Sequence, residues 1–163
     1  MAVIRLTRVD HRLIHGQIAV FWIAQSGASR VIVIDDRSAT NELMRDVLEL
    51  ATPPGIDLDI YTVAQAAEEW KKDQFGAGNV MVIFKSIPAA NEARELGFAF
   101  NELQIGGTAP GAGRKVLDGA ISLNEAEFDM LKKMTADGVE VIFQQTPQTR
   151  LFSWRDAEKR LKF

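Results

Sequence analysis

The sequence predicts an α/β fold: a single domain over residues 1–163, built on an open, mainly parallel β-sheet with helices on both faces. Two observations lead there. First, Val31-Ile32-Val33-Ile34 and Val80-Met81-Val82-Ile83-Phe84 are unbroken apolar runs, and Val139 to Phe143 is a third β-branched stretch. Short runs without polar alternation suit strands covered on both faces, as in parallel sheets. Second, helical segments separate these runs, and strands alternating with helices at this spacing imply βαβ units with right-handed crossovers.

In chain order, residues 2–9 alternate, with Ala2, Ile4, Leu6 and Arg8 forming a mostly apolar side, and predict the first strand. A helix follows over 16–26, carrying Ile18, Phe21 and Trp22, and stops at Gly27. After the strand at 31–34, Ser38 or Thr40 is the expected cap of a helix through Leu50, closed by Pro53-Pro54-Gly55. Strand 58–62 and helix 63–73 come next, then strand 80–84 and helix 88–96, ending at Gly97. Residues 100–105 and 119–123 read as strands five and six, with a glycine-rich loop at 106–113 between them. A helix over 125–137, capped by Asn124 or Ser122, precedes strand 139–143, and a C-terminal helix over 153–161 has Ser153 as its cap. Ligands bind at the carboxyl ends of strands in such sheets. Loops 8–15, 35–38, 84–88 and 106–114 are expected at that edge.

Composition excludes several functions. There are no cysteines, so thiolate metal sites and disulfides are ruled out. A net charge of −3 and a pI near 5.4 argue against broad nucleic-acid binding. No apolar run approaches the ~18 residues of a membrane span. The N-terminus lacks the long apolar core of a signal peptide. The expectation is a soluble cytoplasmic protein that reaches a membrane only through partners.

The chemistry-bearing stretch is Arg8-Val9-Asp10-His11-Arg12-Leu13-Ile14-His15-Gly16-Gln17, which holds both histidines of the chain. His15 stands just before a helix start, where unpaired N–H groups and the helix dipole favour an anion. Arg8 and Arg12 add fixed positive charge on either side of Asp10, and guanidinium binds phosphate bidentately. A neutral imidazole with a free lone pair is a competent nucleophile. His15 is therefore the candidate phosphoryl acceptor, with Arg12 stabilising the transferring group. Asp10 is expected to set the imidazole tautomer or to pair with an arginine. Gly16 and Gln17 are expected to offer backbone N–H groups, with Arg8 as a further phosphate ligand. His11 and His15 are four residues apart, a spacing that also suits metal ligands on a helix. The H-E-x-x-H glutamate is missing and the segment reads as a loop, so no metal is assigned. His11 instead tunes the pocket or touches a partner. The loop at 106–113 matches neither phosphate-binding glycine motif. Asp35, Asp36 and Lys85 are read as caps or solvated charges, and Trp22, Trp70 and Trp154 as packing or partner contacts.

Residues 8–17 resemble the R-[IV]-D-x-R-[LF]-[IL]-H-G-Q signature of enzyme IIB components of the bacterial sugar phosphotransferase system, mannose/fructose/sorbose family, at every restricted position. Pro53-Pro54-Gly55, Ile105-Gly106-Gly107 and the VEVIFQQTP stretch also look like features of that family. The resemblance implies a seven-stranded sheet and a phosphocarrier. His15 would be phosphorylated on Nδ1 by the phosphohistidine of a separate IIA protein. The group would then pass to a sugar bound by membrane IIC and IID subunits, with no cofactor. His11 stands where the family often has an acidic residue. Two other readings remain at this point. One is a non-catalytic anion- or partner-binding domain of the same fold. The other is a nucleotide-binding α/β enzyme, which lacks any nucleotide motif.

Overall fold

In the computed structural model, which describes residues 1–16 and 18–163, seven strands form one sheet in the order β3-β2-β4-β1-β5-β8-β9. These are β1 (Val3–Asp10), β2 (Arg30–Ile34), β3 (Asp57–Tyr61), β4 (Asn79–Phe84), β5 (Glu102–Gly107), β8 (Glu140–Phe143) and β9 (Phe152–Ser153). All neighbours pair in parallel except β8 with β9. Val31 to Ile34 and Val80 to Phe84 are fully buried, as unbroken apolar runs require of central strands.

The first helical stretch, Ile18–Ile23, is π-helical and runs into a short α1 (Ala24–Ser26). The others are α2 (Asp36–Thr40), α3 (Glu42–Ala51), α4 (Val63–Asp73), α5 (Ile87–Glu95), α6 (Glu125–Ala136) and α7 (Trp154–Arg160). One core packs Ile18, Trp22 and Leu48 against Val31, Val33, Met81 and Ile83. The other packs α4 to α7 against the opposite sheet face, around Ile32, Val82, Phe84 and Ile105. Connections running from β1 toward β3 cover one face, and those running the other way cover the other, as a common crossover hand requires.

Four readings are corrected. The expected helix 38–50 is two helices, capped by Asp35 and Asn41 rather than by Ser38 or Thr40. Asn41 is extended (φ −120°) and its side chain accepts from Met44 N at 3.0 Å, so it ends one helix and starts the next. Gly106 and Gly107 continue β5 instead of opening a loop. Residues 121–123 do not join the main sheet: β7 (Ile121–Leu123) pairs antiparallel with β6 (Lys115–Asp118) as a separate hairpin. Arg114 ties this hairpin down, donating to Ser122 Oγ (3.0 Å) and the Ser122 carbonyl (2.8 Å) and pairing with Glu127 at 2.6 Å. The even side of β1 also changes face. Ala2 and Ile4 pack with the core of Val9, while Leu6 packs with the other core, and the register shifts between Ile4 and Leu6.

The chain leaves β1 toward β2 and leaves β5 toward β8, on opposite sides of two adjacent strands. This reversal opens a crevice at their carboxyl ends, the place where such sheets bind ligands.

Candidate active site

Arg8 and Asp10 lie two apart on β1 and so point to the same face, at the strand end that meets the crevice. Both are buried, at 1% and 3% exposure. A buried carboxylate needs paired donors. Asp10 has them: Arg8 Nη2 donates at 3.2 Å and the Arg12 backbone N–H at 3.0 Å. Its Oδ2 also lies 3.4 Å from Nε2 of His15. Among the described residues, the other ring nitrogen of His15 makes no hydrogen bond, and the side chain is 17% exposed.

The loop is held at each end. His11 N–H donates to the Gly107 carbonyl (3.1 Å), and Lys85 Nζ donates to the His11 carbonyl (3.0 Å). Leu13 and Ile14 are buried in the core beneath, and Leu13 takes a left-handed conformation, φ 56°. A leucine there stores about 1–2 kcal/mol of strain, sustained by its burial.

Arg8, expected as a phosphate ligand, has four of its five donors engaged within the protein. Nη1 donates to Gln104 Oε1 and to the Gln144 carbonyl, and Nη2 to Asp10 and the Gln145 carbonyl. Its guanidinium also stacks over Trp22, 5.1 Å from the ring centroid, and Trp22 Nε1 donates to the Gln145 carbonyl at 2.7 Å. Burial lowers the Arg8 pKa, with Asp10 pulling it back up. Arg12 is the opposite case. Its side chain is exposed at the pocket and pairs with no carboxylate among the described residues. His11 Nδ1 is buried and, among the described residues, without a hydrogen-bond partner, 4.0 Å from Asp10 Oδ1. Burial lowers the His11 pKa. Lys85, Arg12 and His15 act in the same direction and Asp10 opposes them.

These groups wall a cavity of about 190 Å³ with Arg8, Asp10, His11, Arg12, His15 and Gln145 around it. Gly16 is exposed, and apart from its chain neighbours a Cβ there would meet no atom of the described residues within 4 Å. Gln17 lies outside the described residues. Asp35 and Asp36 do not reach the cavity. Asp35 caps α2, and Asp36 accepts from Val63 N at 2.8 Å. Sequence reasoning passed over Gln104, Gln145 and the Lys85 contact, all of which arise from chain segments far from residues 8–17.

Residues 4–162 match the description "PTS system sorbose subfamily IIB component". The chain belongs to the sorbose subfamily of phosphotransferase-system IIB components. It is 30% identical over 139 residues to the mannose-specific EIIAB component of Escherichia coli K12, covering 85% of this chain and 43% of that protein. The chain thus spans less than half the length of this relative. It is 29% identical to the sorbose-specific EIIB component of Klebsiella pneumoniae, covering 85% of this chain and 84% of that one. In three dimensions the IIB fold superposes on the crystal structure of manxB from Thermoanaerobacter tengcongensis with a TM-score of 0.91, at 28% identity over 98% of this chain and 97% of that one. The IIBSor domain of the sorbose permease from Klebsiella pneumoniae gives 0.89, at 25% identity over 98% of both chains. A IIB component of this family has a place in sugar phosphotransfer. Among the described residues, no helix is long and apolar enough to cross a membrane.

Proposed function

We propose that His15 of this IIB component carries a phosphoryl group on Nδ1, taken from the phosphohistidine of a IIA partner. The group then passes to a sugar held by membrane IIC and IID subunits. One observation carries this reading: Asp10 faces Nε2 of His15 at 3.4 Å, while among the described residues the other ring nitrogen has no hydrogen-bond partner, beside an arginine-walled cavity. With the proton on Nε2 directed at Asp10, Nδ1 keeps its lone pair. That pair attacks phosphorus as the bond to the donor's imidazole nitrogen breaks, and the donor ring, protonated on its other nitrogen, leaves as a neutral imidazole. Asp10 stabilises the positive charge that builds on the His15 ring.

Transfer of this kind needs positioning and electrostatics more than covalent machinery. Arg12, exposed and without a carboxylate partner among the described residues, is the group to follow the equatorial oxygens. Gly16 leaves room for them to approach, and backbone N–H groups of Gly16 and Gln17 are assigned as donors. Arg8 is reassigned: its donors hold Asp10 and the 144–145 backbone, so it positions the base of the site. No metal or organic cofactor enters the reaction. Residues 1–163 act in this reading as one IIB domain, working in the cytoplasm at the inner face of the membrane through IIC and IID. Relatives are named for mannose, sorbose and fructose. The membrane subunits, which hold the sugar, set that choice.

The test is label transfer from phosphoenolpyruvate through the general phosphotransferase proteins and a IIA donor. Wild type and His11→Ala should take an acid-labile, base-stable label. His15→Ala should take none, and Arg12→Ala should label slowly. Equal labelling of His15→Ala and wild type moves the acceptor elsewhere. No label on any of them, with an active donor, favours a non-catalytic binding domain.

A further inference from the structure

We infer that the side-chain carboxamide of Gln145 is a ligand of the phosphoryl group carried on His15; this rests on the phosphohistidine reading above. Gln145 lies beyond the end of β8 and walls the same cavity as Arg12, Asp10 and His15. Its backbone carbonyl accepts from Arg8 Nη2 (2.8 Å) and Trp22 Nε1 (2.7 Å), so two fixed donors set where the side chain begins. Its far end lies beside the hairpin turn. A Cβ at Gly119 would come within 2.4 Å of Nε2 and 3.1 Å of Cδ and Oε1 of Gln145. The glycine lets the carboxamide come close to the turn backbone at this point.

Three glutamines surround this end of the sheet, and their amides differ in what they meet. Gln104 accepts from Arg8, and Gln144 donates to the Thr149 carbonyl at 2.9 Å. Gln145 is the one at the cavity, and among the described residues its carboxamide has no hydrogen-bond partner. A half-buried amide, fixed at its root and turned to the cavity with its donors uncommitted among the described residues, is placed for a ligand. The ligand that the cavity implies has three acceptor oxygens and close to two negative charges. An amide N–H binds those oxygens without adding a third positive charge. A carrier must release its cargo as readily as it accepts it, and a neutral donor favours the shared transition state without trapping the loaded form.

The experiment loads wild type, Gln145→Leu, Gln145→Glu and His15→Ala from phosphoenolpyruvate through a IIA donor. It follows the loading rate, the phosphorus NMR resonance of the phosphohistidine and thermal melting. Because the Arg8 and Trp22 contacts use the backbone carbonyl, both Gln145 variants retain them. Gln145→Leu should load about ten- to a hundredfold more slowly, the loss expected for a hydrogen bond to a charged group. Gln145→Glu should be slower still, since a carboxylate repels the incoming group. The phosphohistidine resonance should move in both. Wild-type rates and resonance in both variants, with wild type labelled at His15, overturn the Gln145 role and leave the phosphohistidine reading standing. So does a rate loss that tracks a lowered melting temperature equally in Leu and Glu with the resonance unmoved. No label on wild type, or label on His15→Ala, overturns both.

Discussion

Gly106 lies directly against the guanidinium of Arg8: a Cβ built on Gly106 would sit 1.9 Å from Cζ and 2.0 Å from Nη2. The two residues are almost a hundred positions apart and meet because Arg8 and Gln104 are register neighbours on β1 and β5. Arg8 is buried and tied to four acceptors, so it has nowhere to retreat. Gly106→Ala should therefore destabilise the fold by about 2–4 kcal/mol, the range for overpacking and for disturbing a buried charge. Urea unfolding measures it. An alanine variant within 0.5 kcal/mol of wild type would show that Arg8 is free to move.

The two arginines of the loop should separate cleanly. Arg8→Lys keeps the charge but cannot serve Gln104, two carbonyls and Asp10 from one ammonium. It should lose about 2–4 kcal/mol of stability, as buried polar groups lose their partners. Arg12→Lys, on an exposed side chain, should stay within about 0.5 kcal/mol of wild type. Its phosphoryl transfer should nevertheless fall about tenfold or more, because an ammonium replaces bidentate contact with a point charge. Paired unfolding and labelling curves decide the matter, and the reverse pattern would return Arg8 to the phosphate.

How far the sequence revealed this site depended on distance along the chain. That Asp10, Arg12 and His15 come together at one cavity was legible because they share one short stretch of chain at the end of β1. Helix 63–73 was legible from the composition of its own residues, and its cap, the Thr62–Gln65 capping box, lies next to it in the chain. Elements set by tertiary packing were not. The β6–β7 hairpin depends on Arg114 reaching Ser122 and Glu127, and Asn41 splits a helix whose apolar periodicity runs on unbroken. Arg8 read as a phosphate ligand because its sequence neighbours are catalytic in type. Its actual partners, Gln104 and the 144–145 backbone, come from β5 and the end of β8.

The left-handed Leu13 permits a prediction about loop shape. Leu13→Gly relieves the strain at φ 56° but removes a side chain that is 3% exposed. Losing a buried leucine costs about 2–5 kcal/mol, and the relieved strain returns about 1–2. The net effect should be a loss of about 1–3 kcal/mol, together with slower phosphoryl acceptance, because the turn between Asp10 and His15 loses its anchor. Stability unchanged or raised would mean that Leu13 contributes nothing to holding the loop.

His11 makes the site sensitive to acid. Burial lowers its pKa from 6.5, with Lys85, Arg12 and His15 adding to the effect and Asp10 opposing it. Between the folded value and 6.5, the unfolded chain binds more protons at this position than the folded one. Stability therefore rises with pH across that window and is lost as pH falls from the unfolded value through the folded one. His11→Gln cannot take up that proton, so its stability should fall less than that of wild type on acidification across the window. Loading His15 should act the other way, since a nearby dianion favours protonated His11 and raises its pKa. Urea unfolding of wild type and His11→Gln across this pH range, with and without phosphorylation, tests both statements. Parallel pH profiles for the two unphosphorylated proteins would show that His11 takes no part in the acid response.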